Sequence, residues 1–272
     1  MVELVRVLAV FVLLCASAAF GMFVRPRLPE HHRTREATEF MQISIGLLVT
    51  FAAIVLGLLT ASVKQGYDKA AHDRQEYALQ LTLLDQCLGD AGPDAAAIRA
   101  DIAAYTAAVI ASTWPSEPPP SGVRYPDVAG MPRTGAAPAL NRLINAVGVA
   151  MSRLPQGDAA QGDAAHARIA ALCRDRYKDV MHARLDVIED ARAALLEPFY
   201  QILVFWLMII FACFGLVAPR TGLSITIIVL CAVSLSSVMF VINDLSQPYG
   251  GLFGVPSTSM RTALAAMLGA DR

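Results

Sequence analysis

Four stretches of the chain are nearly free of charge: residues 7–23, 41–63, 198–217 and 222–242. The ionic residues gather between them, in 64–197 and in the short connections. A helix crosses a hydrocarbon layer of roughly 30 Å in about 20 residues, and each stretch meets or approaches that length. In lipid, backbone N–H and C=O groups must find partners within the fold, which helices achieve segment by segment. The pattern predicts an all-α membrane protein with four transmembrane helices and a helical extramembrane domain inserted between spans two and three. The first span, Leu4 to Phe23, contains Ala16-Ser17-Ala18, a tripeptide of the kind found at signal-peptide cleavage sites. Its lead-in carries only Arg6 beside Glu3, and the apolar run continues through Gly21, Met22, Phe23 and Val24 to Arg25. It therefore reads as a retained helix; cleavage would leave three spans.

The expected layout follows. Residues 1–63 hold spans one and two with an Arg/His-rich connection, and 64–197 form the extramembrane bundle. Residues 198–243 hold spans three and four, and 244–272 form a tail with at most a short amphipathic helix. Tyr77, Leu81, Leu84 and Leu88 continue span two out of the membrane as one apolar stripe. That helix should stop at Gly89-Asp90-Ala91-Gly92-Pro93. Asp94 is placed to cap a next helix carrying Ile98, Ile102, Tyr105 and Val109. The seven prolines of 115–138 predict a mobile, extended loop. A further helix is expected from Pro138 to about Leu154. A long one follows from Ala164, with Ile169, Leu172, Val180, Val187 and Ile188 inward, feeding into span three at Glu197-Pro198.

Composition agrees with a lipid setting. Of 272 residues 56% are hydrophobic and only 17% charged, with a mean hydropathy of +0.50. The net charge of -1 and the lack of basic runs interleaved with aromatics argue against a nucleic-acid partner. Nucleophile elbows, phosphate-binding glycine loops, HExxH and paired CxxC motifs are absent from the sequence, so no catalytic, cofactor or metal site is assigned. Glu30, His31 and His32 are adjacent, but neighbours in sequence point to different helix faces, and they read as an interfacial polar cluster. The partners expected are the lipid bilayer and further copies of the same chain; an ion or small ligand is left open.

The loop at 24–40 carries Arg25, Arg27, Arg33 and Arg35, and the 218–222 hairpin adds Arg220. Short basic loops stay cytoplasmic. That places the helical domain outside the cytoplasm, with Lys64, Lys69 and Arg74 as opposing evidence. Cysteines bear on the same question. Cys15, Cys213 and Cys231 fall in membrane helices, where a thiol acts as a small apolar group. Cys87 is 23 residues beyond Lys64, and Cys173 is 24 before Glu197. At about 1.5 Å per residue both stand roughly 35 Å from the membrane. They are candidates for a disulfide in an oxidising compartment, the alternative being two unrelated buried thiols.

Span two is the most informative segment. Gln42, Gly46, Thr50, Ala53, Gly57, Thr60, Ala61 and Lys64 lie within about 60° of one direction at 100° per residue. Two readings stand. Small side chains with hydroxyls line a pore, or they form a close helix–helix seam within the monomer or the oligomer. Asn243 and Asp244, after Ser234, Ser236 and Ser237 of span four, make a candidate polar site at the membrane boundary. A carboxylate at membrane depth would carry function; exposure to headgroups and water is the plainer account.

Several strings resemble one family. They are Leu28-Pro29-Glu30-His31-His32 before span two and Val55-Leu56-Gly57-Leu58-Leu59-Thr60-Ala61-Ser62 closing it. Leu83-Leu84-Asp85, Gly92-Pro93 and Trp114-Pro115 mark the domain. Phe205-Trp206-Leu207, Phe214-Gly215-Leu216-Val217-Ala218-Pro219-Arg220 and Pro248-Tyr249-Gly250-Gly251-Leu252 mark the second membrane half. As a set they resemble the bestrophin-like family of bacterial membrane proteins. The resemblance implies distant kinship with bestrophins, which are pentameric, calcium-gated anion channels with a cytosolic helical domain. The acidic calcium-binding run of bestrophins has no counterpart here, and the family's charged positions after span four read Ser246, Gln247 and Gly250. The functional expectation is an oligomeric ion channel or transport protein; the alternative is a membrane-anchored scaffold or sensor whose domain binds a partner.

Overall fold

A computed structural model describes residues 2–27, 35–132, 136–154, 164–191, 197–250 and 252–269. The described residues are helical, with no strand among them. In chain order they form α1 (Val2–Val24), α2 (Arg35–Asp90), α3 (Ala96–Thr113), α4 (Pro138–Ser152), α5 (Ala164–Asp190), α6 (Glu197–Val217), α7 (Gly222–Leu245) and α8 (Thr258–Met267). Short 3-10 turns at Arg25–Arg27 and Pro93–Ala95 follow α1 and precede α3. The chain divides into two compact units: Met1–Gly66 with Ala194–Gln247, and Tyr67–Ala193 with Pro248–Arg272.

The first unit is built on α1, α6 and α7 with the first half of α2. Its core joins Val10, Leu14 and Ala18 of α1 to Leu59 and Val63 of α2. Leu203, Leu207 and Phe211 of α6 and Ala232, Met239 and Ile242 of α7 complete it. The helices of α1 and α6 meet through small residues. A Cβ on Gly21 would stand 2.1 Å from the Ala212 carbonyl oxygen, and one on Gly215 would stand 2.0 Å from that of Ala18. Only glycine lets two backbones approach so closely. The ends of the pair are tied reciprocally. Arg25, just beyond α1, donates to the Ala218 carbonyl, and Arg220, just beyond α6, donates to that of Met22 at 2.9 Å. Both guanidiniums satisfy carbonyls that a helix C-terminus leaves without partners.

The second unit has an apolar core running through Tyr77, Leu81, Leu84 and Leu88 of α2 and Ile98, Ile102 and Ile110 of α3. Leu140, Ile144 and Val147 of α4, Val180 of α5 and Met260 of α8 close it. Helix α2 ends where expected. Gly92 sits at φ 88°, a left-handed conformation that glycine adopts without a Cβ clash, and Pro93 follows. Three expectations need correction. Asp94 does not cap α3; it lies inside the 3-10 turn, and the N-cap position is Ala95, without a side-chain hydrogen bond.

The C-terminal residues from Pro248 are not a separate tail but part of the second unit. Arg261 of α8 donates through Nε to Glu117 at 2.9 Å and through Nη2 to the Pro118 carbonyl at 2.8 Å. Ser257 also hydrogen-bonds Glu117, and Trp114 donates to the Val255 carbonyl at 2.8 Å. These bonds also answer the expectation of a free proline-rich loop, because its first residues are clamped to α8. The expected passage from α5 into span three at Glu197-Pro198 falls partly on residues outside the described ones, as does the loop 28–34.

Five helices are long and apolar enough to cross a membrane, one more than the reading above. Four of them bury 17–28% of their most apolar window inside the protein. The fifth, Pro93–Thr113, buries 61%, with Ile102, Tyr105, Thr106, Ala107, Ala108 and Ile110 essentially inaccessible. Its apolar composition is matched by core burial, which a lipid-facing helix does not need.

Candidate functional site

Helix α2 presents three sectors along its membrane half. One is packed: Ile45, Ala52, Leu59 and Val63, spaced by 7, 7 and 4, are buried. A second is bulky, apolar and exposed, with Ile43, Leu47, Phe51, Ile54 and Leu58 each more than half accessible. The third is the small and polar stripe. Gln42, Gly46, Thr50, Ala53, Gly57, Thr60, Ala61 and Lys64 are all exposed. A Cβ built on Gly46 or Gly57 meets nothing within 4 Å. The stripe is therefore not a seam within the monomer, and that part of the packing reading is overturned. The packed sector took the core because its branched and apolar side chains bury more area.

The hydroxyls in the stripe are oriented. Thr50 Oγ1 donates to the Gly46 carbonyl at 2.9 Å, and Thr60 Oγ1 to that of Leu56 at 2.7 Å. With their protons turned to the helix, both oxygens present lone pairs outward. The exposed surface of α2 thus has two chemistries roughly 100° apart. The bulky sector suits acyl chains, and the small sector offers acceptor oxygens and bare backbone.

Asn243 and Asp244 lie elsewhere, at the end of α7. Arg6 Nη1 donates to Asn243 Oδ1 at 3.2 Å. Asp244 is only 1% exposed and Asn243 7%. Asp244 is therefore buried rather than open to headgroups and water as the plain expectation had it. Glu30, His31 and His32 lie outside the described residues, and no group of three metal-ligating side chains occurs among the described ones.

In the second unit the sulfurs of Cys87 on α2 and Cys173 on α5 are 2.13 Å apart, with a Cα–Cα separation of 5.6 Å. The remaining cysteines, Cys15, Cys213 and Cys231, are free.

Across residues 12–260 the chain matches the family model of the bestrophin-like domain. The chain belongs to the bestrophin-like family. Its fold is similar to solved structures of single-substitution variants of a bacterial bestrophin homologue from Klebsiella pneumoniae. One is 14% identical at a TM-score of 0.66, the match covering 98% of this chain and 99% of that one. Another is 15% identical at 0.65, covering 98% of each. At such identities the fold is what is shared. Comparison with curated proteins yields no match.

This bestrophin-like chain also carries polar groups in its second unit that sequence reasoning passed over. Tyr77 and Tyr105 share a hydrogen bond of 2.6 Å between hydroxyls, and Arg184 Nε donates to Tyr105 at 2.9 Å. Burial pushes the Tyr77 hydroxyl well above its ordinary pKa. Lys69 bridges Asp73 at 2.9 Å and Asp190 at 2.5 Å, and its pKa is raised by those two bonds. Desolvation is the largest influence on Asp190 and raises its pKa despite the lysine. Arg74 is 1% exposed, between the rings of Trp114 and Tyr249. The signal for it was in the sequence. Ala70, Arg74, Tyr77, Leu81, Leu84 and Leu88 recur at 4, 3, 4, 3 and 4, so Arg74 lies on the apolar stripe of α2 rather than at its solvent face.

Proposed function

We propose that the chain is one subunit of a homo-oligomeric, channel-type protein of the bacterial inner membrane, and that the small polar face of α2 lines its ion path. Four helices, α1, the first half of α2, α6 and α7, cross the bilayer in this reading. Helix α3 is a core helix of the extramembrane bundle, as its 61% burial favours. One observation carries the proposal: α2 exposes Gln42, Thr50 and Thr60 together on one face, beside Gly46 and Gly57, where an added Cβ would meet nothing within 4 Å. Polar groups facing hydrocarbon are costly, and such faces turn to protein or to a water-filled path. The bulky sector beside it supplies the lipid contact instead. Membership of the bestrophin-like family and the fold it shares with bacterial bestrophin homologues support the same reading.

Gly57→Leu is the test. In proteoliposomes it should reduce ion flux while the oligomer survives detergent extraction. Loss of assembly with no change in flux per surviving oligomer would assign the face to a seam between copies and remove the pore lining.

The same proposal places the helical domain outside the cytoplasm, supported by Arg25, Arg27 and Arg220 on the opposite connections and by the bonded pair Cys87 and Cys173. A reporter inserted near Gly122 should be active only when exported. A non-reducing gel should shift on reduction, and Cys87→Ser should abolish that shift.

A further inference from the structure

Two carboxylates of the second unit share one cation. Lys69 Nζ donates to Asp73 Oδ2 at 2.9 Å on its own helix, α2, and to Asp190 Oδ1 at 2.5 Å. Asp190 is the last residue of α5, so the ammonium ties the end of one helix to the side of another. The three side chains are not equally open: Lys69 is 58% exposed, Asp73 18% and Asp190 9%. The second oxygen of Asp190, Oδ2, is inaccessible and has no hydrogen-bond partner among the described residues. The lysine thus answers one oxygen of each carboxylate and leaves the more buried carboxylate half satisfied.

The other titratable or charged groups packed here are Arg74 and Tyr249. Arg74 stands over the Tyr249 ring, 4.4 Å from its centroid. Burial holds the Tyr249 hydroxyl above its ordinary pKa, so the phenol stays neutral while carboxyls titrate. On the flanking turns Asp68, His72, Asp186 and Glu189 are exposed, and Arg192 lies outside the described residues. A buried charged acceptor left without a donor is costly. A proton from water removes that cost. It cancels one of two adjacent negative charges and lets the two carboxyls hydrogen-bond each other, as neighbouring acids that share a proton do. Desolvation is the largest influence on Asp190 and raises its pKa; Lys69 opposes it, and the Asp73 carboxyl within hydrogen-bonding reach raises it again. The fold therefore favours the protonated pair. The stability this adds is fully present below the ordinary aspartate value and is lost as pH rises through the raised one.

We infer that Asp73 and Asp190 form a proton-binding carboxyl pair, and that the proton they share tightens the tie between the end of α5 and α2. The pair is a pH-sensitive clasp in the extramembrane unit, just ahead of the passage to α6 at Glu197. It does not rest on the ion path proposed above.

Infrared spectra of the full-length protein in detergent read protonated carboxyls directly. Subtracting the spectrum of Asp190→Asn from that of the unaltered chain, from about pH 8 down to about pH 4, isolates this pair from the other acids. The protonated-carboxyl band should titrate with a midpoint above the ordinary aspartate value of 3.8. Asp73→Asn should lower that midpoint and Lys69→Met should raise it, each by about one pH unit or more. Amide exchange at residues 187–190, corrected for its intrinsic pH dependence, should slow at least about threefold on protonation, the low end for one hydrogen bond gained. In Asp190→Asn that change should vanish. A midpoint at or below the ordinary value would overturn the pair, as would shifts of the same sign in Asp73→Asn and Lys69→Met. Exchange that stays constant across the titration would overturn the clasp. Should Asp190→Asn fail to fold, the opposed shifts of the other two variants in the total carboxyl titration decide alone.

Discussion

The same residue does opposite work in two regions of the first unit. Gly21 and Gly215 let α1 and α6 touch backbone to backbone, and a Cβ at either would overlap a carbonyl oxygen at 2.1 or 2.0 Å. Gly46 and Gly57 on α2 have open space where a Cβ would stand. The first pair is consumed by the fold of one chain. The second pair is left exposed, along with Gln42, Thr50 and Thr60 on the same face. The difference teaches that a small-residue stripe does not say what it packs against. Only the structure separates a completed seam from a surface awaiting another copy or water.

That contrast can be broken at several points. The largest effect is expected at Gly215→Leu, where four extra side-chain carbons must displace the α1 backbone; detergent extraction should yield no monodisperse protein. Gly21→Ala adds one methyl to the same seam and should cost about 3 kcal/mol or more, the upper range for overpacking a rigid contact. Denaturant or thermal unfolding of the purified protein measures it.

On the other face the order of effects reverses. Gly57→Leu should not destabilise the fold, since its Cβ meets nothing within 4 Å and leucine is the better helix former, a gain of up to about 1 kcal/mol. Flux through it should nevertheless fall at least about tenfold, the scale of roughly 1.4 kcal/mol on a barrier. Gly46→Ala is the smallest change and should stabilise. An alanine in an uncrowded helix interior gains about 0.5–1 kcal/mol over glycine. A destabilised Gly46→Ala monomer would mean that the face is packed after all.

Much of the architecture was legible because it rests on long periodic signals. The four uncharged runs correspond to α1, the first half of α2, α6 and α7. The stripe from Tyr77 to Leu88 carried α2 to its end at Asp90. Cys87 and Cys173 could be brought to equal height by counting residues along two rods. What failed was whatever depended on neighbours distant in sequence. The stripe on α2 was visible, but its emptiness was not, because another face with Ile45, Ala52, Leu59 and Val63 competed for the core and won. Ala18 and Gly21 form a close seam with Gly215, a partner almost two hundred residues away that no local pattern names. Asp244 looked like a boundary residue from its place in the chain, whereas it is 1% exposed and its neighbour Asn243 accepts from Arg6, more than two hundred residues away. Arg74 enters the sequence reading only as a charge just beyond span two that opposes the expected orientation. Its heptad position pointed inward, and no local signal named the rings of Trp114 and Tyr249 that receive it.

The polar face of α2 as the wall of an aqueous path is tested most directly by thiol accessibility. Cysteine is placed at Gly57 or at the neighbouring Leu58 in a chain with Cys15, Cys213 and Cys231 replaced by alanine. Reconstituted proteoliposomes are exposed to a charged, membrane-impermeant methanethiosulfonate. Gly57→Cys should react and lose flux, while Leu58→Cys, on the bulky sector, should remain unmodified and conducting. Protection of Gly57→Cys together with reaction at Leu58→Cys would contradict the assignment of the two sectors.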